Sequence, residues 1–128
     1  GATTVILRGQ YGARTTMQLE DLLAPDVLIA TMLDGEPLSV AHGAPLRLVA
    51  PAHYGYKSVK YLSRIEMCAD ESRFRPAAFR FMDHPRARVA FEERGRGLPG
   101  WLLRGLYRPL VTPTARHFAR ALQERIDA

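Results

Sequence analysis

Five side chains between residues 42 and 60 are of the types that bind anions, and they lie close to two neighbouring turns. They are His42, Arg47, Lys57, Ser58 and Lys60. The planar guanidinium group of arginine can donate hydrogen bonds to two oxygens at once, and lysine adds a compact positive charge. Serine and histidine donate further hydrogen bonds. A phosphate group carries about two negative charges and accepts several such bonds. The pattern therefore indicates a site for a phosphorylated ligand.

The same residues have an ordinary alternative interpretation. The two lysines could line a solvated strand face, since surface strands commonly carry such charges, and His42 could cap a turn. Tyr54 and Tyr56 could face a ligand bound here, although tyrosines in such turns usually serve in packing. Spacing alone favours the solvated face over the ligand site.

Two strands are expected to position these side chains. Residues 46–49 alternate in polarity, which places Arg47 opposite the buried face. Residues 59–65 alternate in the same way, so that Lys60 and Tyr61 are predicted on opposite faces. A His-Gly turn precedes the first strand, and a turn built on proline and glycine precedes the second.

Three further elements are predicted upstream. Residues 3–8 are rich in β-branched side chains and indicate a strand. Residues 16–23 have leucines at helical spacing, which predicts one or two helical turns. Residues 27–33 are apolar on both faces, as in a strand buried in the middle of a sheet. Asp34-Gly35 then provides a strong hairpin turn signal.

The second half of the chain has a helical pattern. A short helix is predicted at residues 76–82 and an amphipathic one at residues 101–107, which Pro109 should terminate. A final helix is predicted at residues 112–126, with Thr112 as its N-cap.

The excess positive charge lies entirely in this second half. Residues 1–68 carry six Lys or Arg against six acids, whereas residues 69–128 carry twelve Arg, no Lys and seven acids. These arginines could support helices packed on the core, or contact a redox partner or an anionic membrane surface. Nucleic acid is a less favoured partner, because no nucleic-acid-binding module appears in the sequence.

The cysteine content narrows the possible chemistry. Cys68 is the only cysteine of the 128 residues, which excludes an internal disulfide and a multi-cysteine metal site within this sequence. The first residues also lack the charged start and long apolar run of a secretion signal. Both features favour the cytoplasm.

The ordered run DGEPLSVAHGAPLRLVAPAHYGYKSVKYLSRIE, residues 34–66, resembles the molybdopterin-binding core of the sulfite oxidase family. That superfamily includes sulfite oxidases, assimilatory nitrate reductases and bacterial catalytic subunits that repair methionine sulfoxide. Weaker similarity extends the resemblance over residues 2–67. It implies an α+β domain with a mixed β-sheet core at residues 1–68, followed by an arginine-rich, mainly helical extension at residues 69–128.

The resemblance also implies a role for each candidate residue. His42, Arg47, Ser58 and Lys60 would hold the terminal phosphate of molybdopterin, and Lys57 would lie at the edge of that pocket. The protein would then be a molybdopterin-dependent oxidoreductase that transfers an oxygen atom to or from a small-molecule substrate. The alternative is a non-catalytic module that binds a phosphorylated small molecule or an acidic protein partner.

One departure from the family pattern concerns the metal. In the family a cysteine thiolate upstream of the strand that starts here at Thr3 ligates molybdenum, and this sequence has no residue at that position. Cys68 follows the motif, so the ligand role cannot be carried over to it. We expect a longer enzyme, a second polypeptide that supplies the ligand, or a binding domain without catalysis. The first is favoured because the chain opens directly on a strand.

Overall fold

A computed structural model describes residues 1–70, 74 and 83–126 of the chain. Its strands are β1 (Thr4–Gly9), β2 (Arg14–Gln18), β3 (Leu28–Ala30), β4 (Met32–Leu33), β5 (Glu36–Pro37), β6 (Arg47–Val49) and β7 (Leu62–Cys68). Its α-helices are α1 (Leu19–Leu22) and α2 (Gly100–Ile126), and 3-10 turns occupy Val40–His42, Gly55–Lys57 and Val89–Phe91. The described part is therefore α+β, as predicted.

The core lies on the largest sheet, which has the strand order β2-β1-β7. β1 confirms the strand predicted at residues 3–8. It is the middle strand of the sheet, and its residues Thr4 to Leu7 are all buried. Val5 faces Met17 of β2 and Met67 of β7 in the antiparallel register. The buried apolar cluster combines residues of this sheet with residues of β6 and the adjoining segments: Val5, Leu7, Met17 and Leu62 from the sheet, Leu48 from β6, and Ala50 and Val59 from the segments beside it.

The helical turns predicted at residues 16–23 are only partly present. α1 forms a single turn, whereas Thr16 to Gln18 belong to β2. Thr16 pairs with Ile6 of β1 and is buried. Pairing with a buried neighbouring strand therefore overrides the helical spacing of the leucines. All four described strand pairs are antiparallel, in contrast to the mixed sheet that the sequence analysis expects.

The prediction of a buried central strand at residues 27–33 is wrong. The segment divides between β3, which pairs with β6, and β4, which forms a hairpin with β5. Leu28, Ile29 and Met32 are each at least half exposed. An apolar run favours burial only where another layer covers it, and the described part of the chain places no such layer over these residues. The hairpin turn at Asp34-Gly35 is confirmed.

The strand predicted at residues 59–65 begins later than expected. β7 starts at Leu62, because Tyr61 adopts a left-handed backbone conformation with a φ of 54°. Val59 and Leu62 are both buried, although they are three residues apart and simple alternation would separate them. The first strand of the pair is confirmed as β6, with Leu48 buried and Arg47 partly exposed.

The two helices predicted near the C-terminus form one continuous helix. α2 includes both Pro109 and Pro113, so Pro109 does not terminate a helix and Thr112 does not cap one. A proline crowds the carbonyl four residues before it, and for Pro109 that residue is Gly105. Glycine adjusts its backbone most easily, and the exposed surface of the helix lets water hydrate the freed carbonyls. The helix predicted at residues 76–82 lies outside the described residues.

α2 packs on the rest of the chain near its start. Of its described side chains, Leu103 alone is buried, whereas Trp101, Leu110 and Val111 are more than half exposed. Arg104, Arg108, Arg116 and Arg120 of this helix are also exposed, and contact with a redox partner or a membrane surface stays a prediction. Within the described part of the chain, no helix combines the length and the apolar character needed to cross a bilayer.

Candidate phosphate site

Arg47 joins the two turns that the sequence analysis singled out. Its Nη1 donates to the carbonyl oxygen of His42 at 3.2 Å, and its Nη2 donates to that of Ser58 at 3.4 Å. Its Nε is buried and finds no hydrogen-bond acceptor among the described residues. Because an unsatisfied buried donor costs free energy, an acceptor from a ligand or from water would be stabilising at this nitrogen.

Lys60 lies against the first of these turns. Its Nζ donates to the carbonyl oxygen of Ala41 at 2.8 Å, just before the left-handed Gly43. A Cβ on Gly43 would lie 3.0 Å from the Lys60 side chain, and the φ of 101° already disfavours any other residue. The glycine of the His-Gly turn therefore allows the lysine stem to approach the backbone closely.

The two cations reinforce each other's positive potential. Loss of water around the Lys60 ammonium, and then the nearby charge of Arg47, lower the pKa of Lys60 below its usual value. Within the described residues neither cation has a carboxylate partner, whereas Arg8 and Arg64 share Glu66. A bound anion would relieve this repulsion, so the electrostatics favour an anionic ligand.

His42 and Ser58 complete the donor set. The hydroxyl of Ser39 accepts from the backbone N–H of His42 and lies 2.7 Å from its Nδ1. If that hydroxyl donates to Nδ1, the imidazole proton is on Nε2 and is available to a ligand. The Ser58 hydroxyl accepts from the backbone N–H of Ala50 at 3.1 Å, which leaves its own hydrogen to donate.

A phosphate group fits this arrangement. The guanidinium, the ammonium, the imidazole and the hydroxyl are all donors, and the two fixed charges match a dianion. Arg47 is bonded to the backbone of His42 and of Ser58, and Lys60 to that of Ala41. Four of the five predicted residues, namely His42, Arg47, Ser58 and Lys60, therefore lie around the same two turns.

The fifth residue, Lys57, has a different position from the one predicted. Its side chain is completely buried, with Nζ hydrogen-bonded to the carbonyl oxygen of Thr16 and 3.2 Å from Oδ1 of Asp83. It lies on the 3-10 turn Gly55–Lys57, and this turn directs it into the core instead of toward the phosphate site. Lys57 is therefore paired with a buried carboxylate and is not at the edge of a ligand pocket.

Tyr61 supports the site, and sequence reasoning missed this role. Its hydroxyl donates to the carbonyl oxygen of Val40 at 2.7 Å, and its backbone N–H donates to that of Gly43 at 3.3 Å. The ring of Tyr11 packs edge-on against it at a centroid distance of 5.0 Å. Tyrosine has no special tendency to positive φ, so nothing in the sequence marked this position.

The described part of the chain contains no group of three or more His, Cys, Asp or Glu side chains that could hold a metal ion. Cys68 lies on β7, where its thiol is within 3.5 Å of the carbonyl oxygen of Thr4.

Comparison with known proteins identifies the family. The chain belongs to the family of oxidoreductase molybdopterin-binding domains, because residues 1–75 match the model of that domain. The resemblance to molybdopterin-binding oxidoreductases is therefore confirmed, and molybdopterin is the cofactor of the family.

Individual relatives come from bacteria and plants. The chain is 45% identical to an uncharacterised oxidoreductase, YuiH, of Bacillus subtilis over 48% of its own length and 31% of that protein. It is 42% identical to a sulfite oxidase of Arabidopsis thaliana over 51% of its length and 16% of the relative. The catalytic subunit MsrP of a protein-methionine-sulfoxide reductase of Gluconobacter oxydans is 35% identical over 72% of the chain and 33% of the subunit. The chain thus spans a third or less of the length of these relatives.

Proposed function

We propose that this chain provides the phosphate end of the cofactor site in a molybdopterin-dependent oxidoreductase with the sulfite oxidase type of fold. The observation that carries the proposal is the buried Nε of Arg47, which has no acceptor among the described residues. It lies near Lys60, a second cation for which the described part of the chain provides no carboxylate. Both residues stand at the positions that the family motif assigns to the phosphate. Lys57 is not included, because its ammonium is committed to Asp83.

Each of the four residues contributes in a different way. Arg47 would donate to phosphate oxygens from its Nε and from the remaining N–H groups of its terminal nitrogens. Its bonds to two backbone carbonyl groups would keep the guanidinium plane fixed. Lys60 would add a charge held in place by Ala41, and His42 and Ser58 would each donate one hydrogen bond. A site fixed in this way before binding loses little conformational entropy when the ligand arrives.

The chemistry of the reaction would come from the cofactor, whose molybdenum supplies oxygen-atom transfer when it is bound. The names of two relatives, a sulfite oxidase and a methionine-sulfoxide reductase, support this reaction class. The contribution of the residues described above is to bind the phosphate and to orient the cofactor relative to the rest of the protein.

Pterin and metal analysis tests this proposal. The natural full-length protein would be purified from cells that make the cofactor, and its molybdenum and pterin contents would be measured. We expect both in about a one-to-one ratio with the protein, because several charge-assisted hydrogen bonds to a largely desolvated phosphate make release slow. Protein that is folded but contains neither metal nor pterin would contradict the proposal and favour the non-catalytic binding module.

A further inference from the structure

A second candidate ligand site lies on the outer side of the turn whose inner side buries Lys57. A cavity of about 250 Å³ opens there, and it is lined by Tyr54, Gly55, Tyr56 and Arg94. None of the four residues of the phosphate site lines this cavity. Its size suits a small organic molecule and exceeds what a single ion or water molecule needs.

Arg94 provides the charge of this cavity. Its Nε donates to the hydroxyl oxygen of Tyr54 at 2.9 Å, and its guanidinium carbon lies 5.0 Å from the centroid of the same ring. Both contacts are with a neutral side chain, and the described part of the chain provides no carboxylate within ion-pair distance of Arg94. By contrast, Arg86 and Arg88 are each paired with acids. The two terminal nitrogens of Arg94 therefore keep the pair of donors that binds a planar carboxylate.

The two tyrosines provide flat apolar walls. Tyr54 is partly buried and held by Arg94, while Tyr56 is 42% exposed on the same turn. Between them, Gly55 has no side chain, and a Cβ placed there would meet no atom of the described residues within 4 Å. The space above the glycine is therefore open to a ligand, and aromatic faces favour a flat apolar group beside the charged end.

From this geometry we infer that the cavity binds a small organic carboxylate with a flat apolar body, its carboxylate on Arg94 and its body against Tyr54 and Tyr56. This site is distinct from the phosphate site and does not depend on the proposed function. A purely inorganic anion would leave the aromatic walls unused, and a neutral aromatic molecule would leave the guanidinium without a partner.

Benzoate is a suitable probe for this inference. Titration of the full chain, followed by NMR signals of the tyrosine rings, is expected to give saturable binding in the millimolar range or tighter. Benzamide has the same shape without the charge, and acetate has the charge without the ring, so each should bind at least about tenfold more weakly. Arg94→Gln should weaken benzoate binding by a similar factor, because it removes a charge-assisted hydrogen-bonding pair.

Two matched variants complete the experiment. Arg104→Gln removes an arginine that is already paired with Glu92, and it should leave benzoate binding unchanged. Tyr56→Leu keeps Arg94 and removes one ring, so it should weaken benzoate several-fold while acetate is unaffected; it also provides a second test if Arg94→Gln fails to fold. The inference is overturned if the wild-type chain does not bind benzoate, if benzamide or acetate binds equally well, or if folded Arg94→Gln binds like the wild type.

Discussion

Replacing Lys57 by methionine is expected to lower the free energy of unfolding by about 3–5 kcal/mol. The substitution keeps the length of the side chain but leaves the Asp83 carboxylate, only 8% exposed, without its cation. It also removes the donor that the carbonyl oxygens of Thr16 and Pro85 share. Since these partners lie on β2 and on the segment after residue 82, the loss should loosen the contact between the two halves of the chain.

Denaturant titrations of a small set of variants would measure this effect. Arg64→Met removes a side chain that is 68% exposed and paired at the surface with Glu66, so it should cost less than about 1 kcal/mol. The double variant Lys57→Met with Asp83→Leu should be more stable than Lys57→Met alone, because no buried charge is then left unpaired. An unfolding free energy of Lys57→Met within 1 kcal/mol of the wild type would refute the importance of this buried pair.

Replacing Arg47 by glutamine is expected to weaken the binding of a phosphate monoester at least tenfold while the chain stays folded. A hydrogen bond to a charged group contributes about 1.5–3 kcal/mol, and 1.4 kcal/mol corresponds to a factor of ten in affinity. Glutamine can still donate to one of the two carbonyl groups. It carries no charge, however, and cannot form the paired hydrogen bonds that a guanidinium group makes to phosphate oxygens. Calorimetric titration of the wild type and the variant with a simple phosphate monoester measures the difference.

The matched control for Arg47 is another arginine on the surface. Arg8→Gln removes a partly exposed guanidinium that is paired with Glu66, and it should leave phosphate binding within about twofold. Arg47→Lys should lie between the wild type and Arg47→Gln, because it keeps the charge without the planar geometry. Equal phosphate affinities in the wild type and in Arg47→Gln would exclude Arg47 as a phosphate ligand.

Turns were the features that the sequence predicted best, because their signals are local. Asp34 and Gly35 both have positive φ, 52° and 82°, as the favoured two-residue hairpin turn requires. The left-handed Gly43 likewise follows the short turn that ends at His42. Residues whose conformation depends on their immediate neighbours can be placed without knowledge of the rest of the fold.

Burial and side-chain direction depend on distant residues and were predicted less well. Leu28 and Ile29 suit a buried strand, yet half of their surface is exposed because no other described element covers them. Lys57 and Lys60 are only three residues apart, but one is in the core beside Asp83 and the other lies near the surface beside Arg47. The charge of a lysine does not distinguish these two positions. Lys57 is buried because its partner, Asp83, lies beside it in the fold, although Asp83 is 26 residues downstream in the sequence.

The candidate site could be predicted because the order of residue types along the family motif is more specific than the spacing of the cations alone. On residue types and spacing alone, a solvated strand face was the favoured interpretation of the same cations. The family motif selected His42, Arg47, Ser58 and Lys60, and in the structure these four lie around the same two turns. The motif did not indicate that Tyr61 supports the site, because this role depends on a positive φ that tyrosine does not favour.

Pterin content of the natural full-length protein carrying both Arg47→Gln and Lys60→Gln is the most direct test of the central claim. The control variant carries Arg64→Gln and Arg104→Gln, which remove two exposed charges already paired with acids. All proteins would be purified from cells that make molybdopterin and compared at equal folded concentration. We predict that the wild type and the control contain the cofactor and that the Arg47 and Lys60 double variant has lost most of it. Full pterin occupancy in that folded double variant would contradict the assignment of these residues to the phosphate.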